Sequence, residues 1–107
     1  MYSKYSNIKT VTADGIKHDS RKEARRWVEL TLLQRAGEIS DLKRQVKYEF
    51  IPKQEGERAV TYIADFVYVD NKTGNTVIED CKGFKTDVYR LKKKLMQWRY
   101  NIKIKET

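Results

Sequence analysis

The spacing of apolar residues changes several times along the chain, and each change predicts a new element. Apolar side chains recur at helical spacing over residues 24–33 and again over 88–98. Between them, residues 45–51 alternate strictly between polar and apolar, and residues 59–70 are mostly β-branched or aromatic. Such patterns favour strands. The chain is therefore predicted to place strands between two helices.

The first helix is predicted to begin at a cap formed by Asp19 or Ser20 and to run to about Ala36. Gly37 follows at the position where glycine commonly closes a helix. The apolar stripe expected to face the core consists of Ala24, Trp27, Val28, Thr31 and Leu32, widened by Leu30 and Leu33.

The second helix is predicted from about Asp87 to Arg99, with Thr86 or Asp87 as its cap. Its expected core stripe is Val88, Leu91, Leu95 and Trp98, with Arg90, Lys92, Lys93 and Lys94 turned outward.

The N-terminal segment is predicted as a loose arm over residues 1–10, followed by a hairpin over residues 11–18. Asp14 and Gly15 suit a type I′ turn in that hairpin. His18 lies where the hairpin ends and is expected at the surface. An irregular link over residues 38–43 should precede the strand at 45–51.

The remaining strands complete an α/β (α+β) fold in one domain, residues 1–107. Residues 59–70 should form the central strand, and the turn at 71–75 should join it to a strand beginning at Thr76. A short strand over residues 102–105 closes the chain. The order is αβββαβ, which predicts a mixed β-sheet flanked by two helices, with the hairpin in front.

Pairing across the turn at 71–75 makes a specific prediction for two acidic residues. If Val69 pairs with Thr76, opposed residue numbers sum to about 145, and Asp65 lies opposite Asp80. Their Cβ atoms would then be about 5 Å apart, and two like charges so close are destabilising. A divalent cation between the carboxylates would remove the conflict.

The segment around Asp80 adds a lysine to this pair of acids. Alternation along a strand places Asp80 and Lys82 on the same face, and Gly83 follows. An acid and an ammonium group there could hold a metal and a polarised water together. The same acid-x-Lys pattern also occurs at 41–43 and 70–72, and a surface ion pair is the alternative interpretation.

Charge is distributed unevenly along the chain. Of the net charge of +8, residues 82–107 carry +7, from nine lysines and arginines against two acids. Such a basic block suits a polyanion, most simply the phosphates of nucleic acid. The alternative is a solvated helix face kept soluble by its charge.

The scarcity of cysteine and histidine excludes several classes of site. A single cysteine, Cys81, permits no internal disulfide and no cysteine-based zinc site, and with His18 the only histidine a serine-type triad is excluded. The N-terminus lacks the apolar segment of a signal peptide, and no apolar run approaches membrane-spanning length. We therefore expect a cytoplasmic protein without a membrane partner.

Taken with the αβββαβ order, several short motifs resemble the PD-(D/E)XK nuclease superfamily, and most of all the small phage and prophage family DUF1064. They span residues 11 to about 100. The motifs are Asp14-Gly15-Ile16-Lys17, Asp19-Ser20-Arg21-Lys22-Glu23-Ala24, Tyr62-Ile63-Ala64-Asp65-Phe66, Glu79-Asp80-Cys81-Lys82-Gly83 and Leu91-Lys92-Lys93-Lys94-Leu95.

The resemblance implies roles for individual residues. Asp65 and Asp80 would bind Mg²⁺, with Mn²⁺ as a substitute, and Glu23 would complete the site directly or through a water. The backbone carbonyl of Cys81 would be a further ligand, and Lys82 would orient or help deprotonate the attacking water. No small-molecule cofactor is implied.

Two further residues are possible members of this site, and Glu23 has a second interpretation. Gln45 falls where related nucleases often carry a polar residue. Glu79 would replace Asp80 at the metal if the strand register slipped by one residue. Glu23 also fits a capping box with Ser20, in which its carboxylate folds back onto the cap backbone.

The implied function is metal-dependent hydrolysis of DNA phosphodiester bonds by an endonuclease. A structure-directed enzyme acting on branched DNA, similar to a Holliday junction resolvase, is expected. It would be encoded by a phage or prophage in a bacterial host, and a homodimer is expected. The alternatives are a non-catalytic nucleic-acid-binding module and a phage interaction protein. The residues expected to contact DNA are Arg21, Lys22, Arg25, Lys85, Arg90, Lys92, Lys93 and Lys94.

Overall fold

The computed structural model describes residues 9–81 and 85–107. It confirms the αβββαβ order with a hairpin in front. The elements are β1 (Thr10–Val11), β2 (Lys17–His18), α1 (Arg21–Arg35), β3 (Ile39–Ile51), β4 (Val60–Asp70), β5 (Thr76–Asp80), α2 (Asp87–Tyr100) and β6 (Lys105–Glu106).

Four strands form one mixed sheet in the order β3-β4-β5-β6, and β1 and β2 form a separate two-stranded sheet. β3, β4 and β5 are antiparallel, whereas β5 and β6 are parallel. β4 is thus an interior strand, as its apolar sequence predicted.

Each face of the large sheet carries one apolar cluster and one helix. The first cluster joins Tyr89 and Met96 of α2 to sheet residues that include Ile78. The second joins Trp27 and Leu30 of α1 to sheet residues that include Phe66. The two helices therefore cover opposite faces, which we call the α2 face and the α1 face.

The predicted register of the β4–β5 hairpin is confirmed. Phe66 pairs with Glu79, and Val69 pairs with Thr76, so that opposed numbers sum to 145 as expected. Continuing this register by one residue places Asp65 opposite Asp80.

The prediction for the start of β3 is wrong, because the strand begins at Ile39 and includes the segment expected to be an irregular link. Two of its residues, Asp41 and Gln45, have a left-handed backbone with φ of 54°. Residues in that conformation interrupt the alternation of side chains between the two faces of the sheet. The first half of β3 therefore lacks the regular polar–apolar alternation that predicts a strand.

Two smaller predictions also need correction. The last strand is Lys105–Glu106 rather than residues 102–105. In the N-terminal hairpin, the N–H of Gly15 donates to the Thr12 carbonyl at 2.9 Å, so the turn centres one residue earlier than predicted. Gly15 occupies the left-handed position with φ of 83°, in the manner of a type I turn followed by a bulge.

α1 has the predicted boundaries but a narrower buried face. Ser20 is the cap, and Gly37 follows the helix with φ of 81°. Of the predicted stripe, Ala24, Trp27 and Leu30 are buried. Val28, Leu32 and Leu33 are exposed, so the width predicted for the stripe is wrong.

The predicted core stripe of α2 is wrong. The helix packs against the sheet through Tyr89 and Met96. Val88, Leu91 and Trp98 point away from the core, with exposed fractions of 61%, 58% and 79%. α2 has two apolar stripes, and the one that contains tyrosine and methionine faces the sheet.

Candidate active site

The candidate site lies where β4 and β5 approach α1. Asp65 comes from the middle of β4, and Asp80 is the last residue of β5. An Asp65 carboxylate oxygen, Oδ2, accepts the backbone N–H of Cys81 at 2.8 Å. Asp80 is fully buried, and Asp65 is half-buried. The structure thus holds Asp65 against the main chain of Cys81, and the strand register sets Asp80 opposite Asp65.

The alternation of side chains on β4 breaks at Asp65. Ala64 belongs to the cluster on the α2 face, yet Phe66, two residues on, belongs to the cluster on the α1 face. On the neighbouring strand, Arg44 pairs with Phe66, which places Gln45 opposite Asp65. Gln45 is the residue with left-handed φ of 54°, a conformation that costs about 1–2 kcal/mol for a residue with a side chain. Strained backbone of this kind clusters at functional sites.

Glu23 joins the site from the first turn of α1. It is 4% exposed, and its Oε1 accepts a hydrogen bond from Gln45 Nε2 at 3.1 Å. The Ser20 hydroxyl caps the Glu23 N–H at 3.1 Å, but the Glu23 carboxylate turns toward Gln45 rather than back onto the cap. Burial, and next the negative charge of Asp65, raise the pKa of Glu23 to about 7. Glu23 therefore faces the site and carries a destabilised negative charge.

His18 is a site neighbour that the sequence analysis missed. It was expected at the surface, but it is 1% exposed. Its Nδ1 lies 3.9 Å from Glu23 Oε1, and its Nε2 lies 3.2 Å from the Thr12 hydroxyl. Burial lowers the pKa of His18, which favours the neutral ring. The available signal was the place of His18 two residues before the Ser20 cap and five residues before Glu23.

The N-terminal hairpin is held against α1 by Asp14. Its Oδ2 accepts the Trp27 indole N–H at 2.6 Å, and its Oδ1 accepts the Ile16 N–H at 3.0 Å. Hydrogen bonds from Thr12, Trp27 and Ile16 lower the pKa of Asp14 to about 2. This anchor explains how a two-stranded hairpin keeps His18 beside Glu23.

Glu79 points away from Asp80, to the α1 face. It is fully buried, and Arg26 donates to both of its oxygens, from Nε at 2.8 Å and from an Nη at 2.7 Å. The Tyr68 hydroxyl also donates to Glu79. Glu79 is therefore part of a structural ion pair. Its partner Arg26 lies 53 residues away along the chain, and no local pattern predicts the pairing.

The surroundings of Asp80 come from the α2 face. Burial, and next the Asp80 carboxylate, raise the pKa of Tyr62. Burial and the Glu106 carboxylate raise the pKa of Tyr89, and Asp80 contributes to the same shift. Glu106 is opposite Asp80 in the parallel β5–β6 pairing.

The bases expected to bind DNA fall into two groups. Glu106 accepts from Lys85 at 3.2 Å and from Lys93 at 3.0 Å, so these two lysines are engaged within the fold. Lys22 and Arg25 line a cavity of about 250 Å³ together with Arg26, Glu29, Cys81 and Thr107. This basic cavity reaches Cys81 and hence the neighbourhood of Asp65. The remaining expected bases, Arg21, Arg90 and Lys94, are exposed, and Lys92 is half-buried.

The donor atoms at the site suit a hard divalent cation. Carboxylate oxygens and main-chain carbonyls are the ligands that Mg²⁺ accepts, and Asp65, Asp80 and Cys81 supply them. After burial, the Asp65 carboxylate is the next cause of the raised pKa of Glu23, so these two acids lie close enough to interact. Within residues 9–81 and 85–107, no three histidine, cysteine or acidic side chains converge closely enough to ligate one ion. Lys82, to which the sequence analysis gave the catalytic role, lies outside the described residues.

Comparison with models of known protein families identifies the family of this chain. The family model described as "Protein of unknown function (DUF1064)" matches residues 2–107. The chain belongs to the DUF1064 family. Neither the curated proteins nor the solved structures contain a match. The membership predicted from the sequence motifs is thus confirmed for DUF1064.

No helix in the described part of the chain has the length and apolar character needed to cross a bilayer.

The raised pKa of Glu23 predicts how stability depends on pH. Between its ordinary pKa of 4.5 and about 7, the folded protein keeps a proton that the unfolded chain releases. The free energy of unfolding of the parent protein should therefore lose this contribution as pH rises through that window. Glu23→Gln has no such titration, so its stability relative to the parent should increase between pH 5 and pH 8. Urea unfolding in EDTA at both pH values measures the difference.

The matched control for this experiment is Glu29→Gln, on the same helix but at an exposed position. It retains Glu23 and should keep the pH dependence of the parent. Equal pH dependence in the parent and in Glu23→Gln would show that Glu23 is not destabilised in the folded state.

Proposed function

We propose that this DUF1064 protein is a metal-dependent DNA endonuclease of the PD-(D/E)XK type. One observation supports it above the others: the β4–β5 register, continued by one residue, sets Asp65 opposite Asp80 beside the strained Gln45. Two acids on paired strands repel each other, and a cation bound between them would offset that repulsion.

In this proposal Asp65, Asp80 and the Cys81 carbonyl hold Mg²⁺ or Mn²⁺. Glu23 joins them through a water. A divalent ion held there would lower the pKa of the water bound to it and would stabilise negative charge on the scissile phosphate.

Two side chains of the protein orient the reacting groups. Gln45 holds the Glu23 carboxylate at 3.1 Å and so orients it toward Asp65. Lys82 would orient the attacking water and offset charge on the phosphate, the role that its place in Asp80-Cys81-Lys82 implies.

The phosphate backbone is proposed to run along α1 at the basic cavity. Lys22 and Arg25 are exposed there, and the cavity also reaches Cys81. Phosphates adjoining the scissile bond would thus be bound without a base-specific contact, which suits an enzyme directed by the structure of DNA rather than by its sequence. Arg90, Lys92 and Lys94 remain predicted contacts for more distant phosphates.

The test is cleavage by purified protein of supercoiled plasmid, linear duplex, single strands and a four-way junction. Each substrate is incubated with Mg²⁺, with Mn²⁺, with Ca²⁺ or with EDTA. We expect cleavage in Mg²⁺ and Mn²⁺, none in EDTA, and preference for the four-way junction. Failure to cut any substrate with either metal, by protein that binds the DNA, would favour the non-catalytic binding module.

The variant Lys82→Ala tests whether any observed cleavage comes from this site. Its turnover should fall by about 10²–10⁴-fold, the contribution typical of a residue that transfers or positions a proton. Its DNA binding, measured in Ca²⁺ without cleavage, should stay near that of the parent. Cleavage by Lys82→Ala at the parent rate would identify a contaminating nuclease or a different site.

A further inference from the structure

The outward side of α2 carries an apolar stripe that the described part of the fold leaves exposed. Val88, Leu91, Leu95 and Trp98 are spaced by three, four and three residues, and we call them the α2 seam. Val88, Leu91 and Trp98 are 61%, 58% and 79% exposed, and Leu95 is half-buried. Contiguous exposed apolar side chains of this kind mark interaction sites.

The spacing of the seam specifies the shape of what covers it. Apolar residues alternating at three and four positions form the contact line of two helices that cross at a small angle. The seam is ten residues from end to end, about 15 Å along the helix axis. A helix of about three turns, lying nearly parallel or antiparallel to α2, matches this length.

The opposite stripe of α2 shows that the seam is not needed to fold the protein. Tyr89 and Met96 are buried against the sheet, and Tyr100 packs at the edge of the same cluster. At 100° per residue the two stripes lie on nearly opposite sides of the helix. Packing among residues 9–81 and 85–107 therefore leaves the seam exposed.

The residues that flank the seam determine the charge of its partner. Lys92 and Arg99 border it on one side, and Lys94 borders it on the other. Asp87 is the sole acid of α2, and it pairs with Arg90 of the same helix at 3.5 Å. The border is thus basic, and a partner helix with acidic residues beside its apolar stripe is complementary.

The same charges disfavour a second copy of this chain as the partner. In an antiparallel pair, Val88 would meet Trp98 of the other copy, and Lys92 would then face Lys92 and Lys94 would face Lys94. In a parallel pair, Lys94 would lie beside Arg99 of the other copy and Asp87 beside Lys92, so the antiparallel pair is repulsive on both borders and the parallel pair on one. Like charges at such flanking positions are destabilising, so self-association brings repulsion that an acidic partner avoids.

A cavity adjoins the seam at its N-terminal end. It measures about 290 Å³ and is lined by Ile63 of β4, Val88 and Lys92, among other residues of the two elements. An apolar side chain at one end of a partner helix could enter this cavity.

We propose that the α2 seam binds an amphipathic helix of another protein, with apolar residues at three-four spacing and acidic residues on both flanks. This interaction involves none of the proposed metal ligands, although Lys92 and Lys94 beside the seam are also predicted phosphate contacts. The peptide measurements are made without DNA, so the failure of one proposal is distinguishable from the failure of the other.

The test uses three synthetic helical peptides of 21 residues that contain no tryptophan. The first has Leu at the seam positions and Glu on both flanks, the second has the same Leu with Lys flanks, and the third has Ser in place of Leu with Glu flanks. Binding is followed by calorimetry and by the blue shift of Trp98 emission. We expect binding of the first peptide only, in the micromolar range of about 1–100 μM, weakened by salt.

Leu91→Glu and Leu32→Glu make a matched pair of variants. The two leucines are 58% and 54% exposed, on α2 and on α1 respectively, so the same change is made at equal exposure. Leu91→Glu should weaken binding of the first peptide by at least about tenfold, and Leu32→Glu should leave it unchanged. Circular dichroism checks that both variants are folded.

Four results would overturn the proposal. In the first, the parent protein does not bind the first peptide at concentrations up to 1 mM. In the second and third, Leu91→Glu binds that peptide as tightly as the parent does, or the parent binds the peptide with Lys flanks as tightly as the one with Glu flanks. In the fourth, the parent is a dimer in analytical ultracentrifugation and Leu91→Glu is a monomer. The last result would assign the seam to a second copy of the chain. A Trp98 shift caused by anionic phosphatidylserine vesicles and by none of the peptides would assign it to a membrane surface.

Discussion

Asp80→Asn should abolish metal-dependent DNA cleavage and leave the protein folded. The carboxylate is fully buried at the end of β5, and asparagine has nearly the same volume, so packing is retained. Loss of a residue that merely supports a metal ligand costs about 10–100-fold in affinity or activity, so loss of a direct ligand should exceed 100-fold. Asp65→Asn should behave in the same way. Cleavage of the four-way junction and calorimetric titration of Mn²⁺ measure the two effects.

Glu79→Gln is the control that separates chemistry from stability. Glu79 precedes Asp80 and is equally buried, but it faces Arg26 and Tyr68 on the other side of β5. Its substitution should destabilise the protein and leave the activity of the folded fraction near that of the parent. If Asp80→Asn binds Mn²⁺ and cuts DNA as the parent does while Glu79→Gln is inactive, then the proposed assignment of the two acids is reversed.

The position of the two acids on the hairpin could be predicted because local rules determine it. A five-residue turn rich in polar residues joins two strands of strong β propensity, and the register then follows by counting. The assignment of Glu79 and Asp80 to opposite faces follows from the same alternation. The sequence therefore predicted which residues lie opposite each other across the hairpin.

What could not be predicted depends on tertiary packing. α2 carries two apolar stripes, and the choice between them is made by the sheet it packs against rather than by its own periodicity. The left-handed residues Asp41 and Gln45 break the strand pattern of β3 for the same reason, since only neighbouring structure maintains such a conformation. The burial of His18 depends on the anchor between Asp14 and Trp27, a contact across two elements.

Arg26→Met should be the most destabilising of the single substitutions considered. Arg26 is the cationic partner of Glu79, whose side chain has no exposed surface, and it binds both carboxylate oxygens. Removal of one member of a buried ion pair leaves an uncompensated charge and costs about 3–5 kcal/mol. A domain of this size has a total stability of about 5–15 kcal/mol, so much of it would be lost. Urea unfolding at pH 7 measures the free energy of unfolding.

Two comparison variants show that the cost comes from the unpaired charge and not from lost packing. Arg25→Met removes an exposed arginine one residue away and should change stability by less than about 0.5 kcal/mol. The triple variant Arg26→Met, Tyr68→Phe and Glu79→Leu removes Glu79 together with both side chains that donate to it, and leaves only the exposed Glu29, which also accepts from Arg26. Because a buried ion pair can be replaced by apolar residues at little or no cost, the triple variant should be far more stable than Arg26→Met alone. If Arg26→Met lost less than about 1 kcal/mol, water would have to reach Glu79, and the buried pair would not secure α1 to β5.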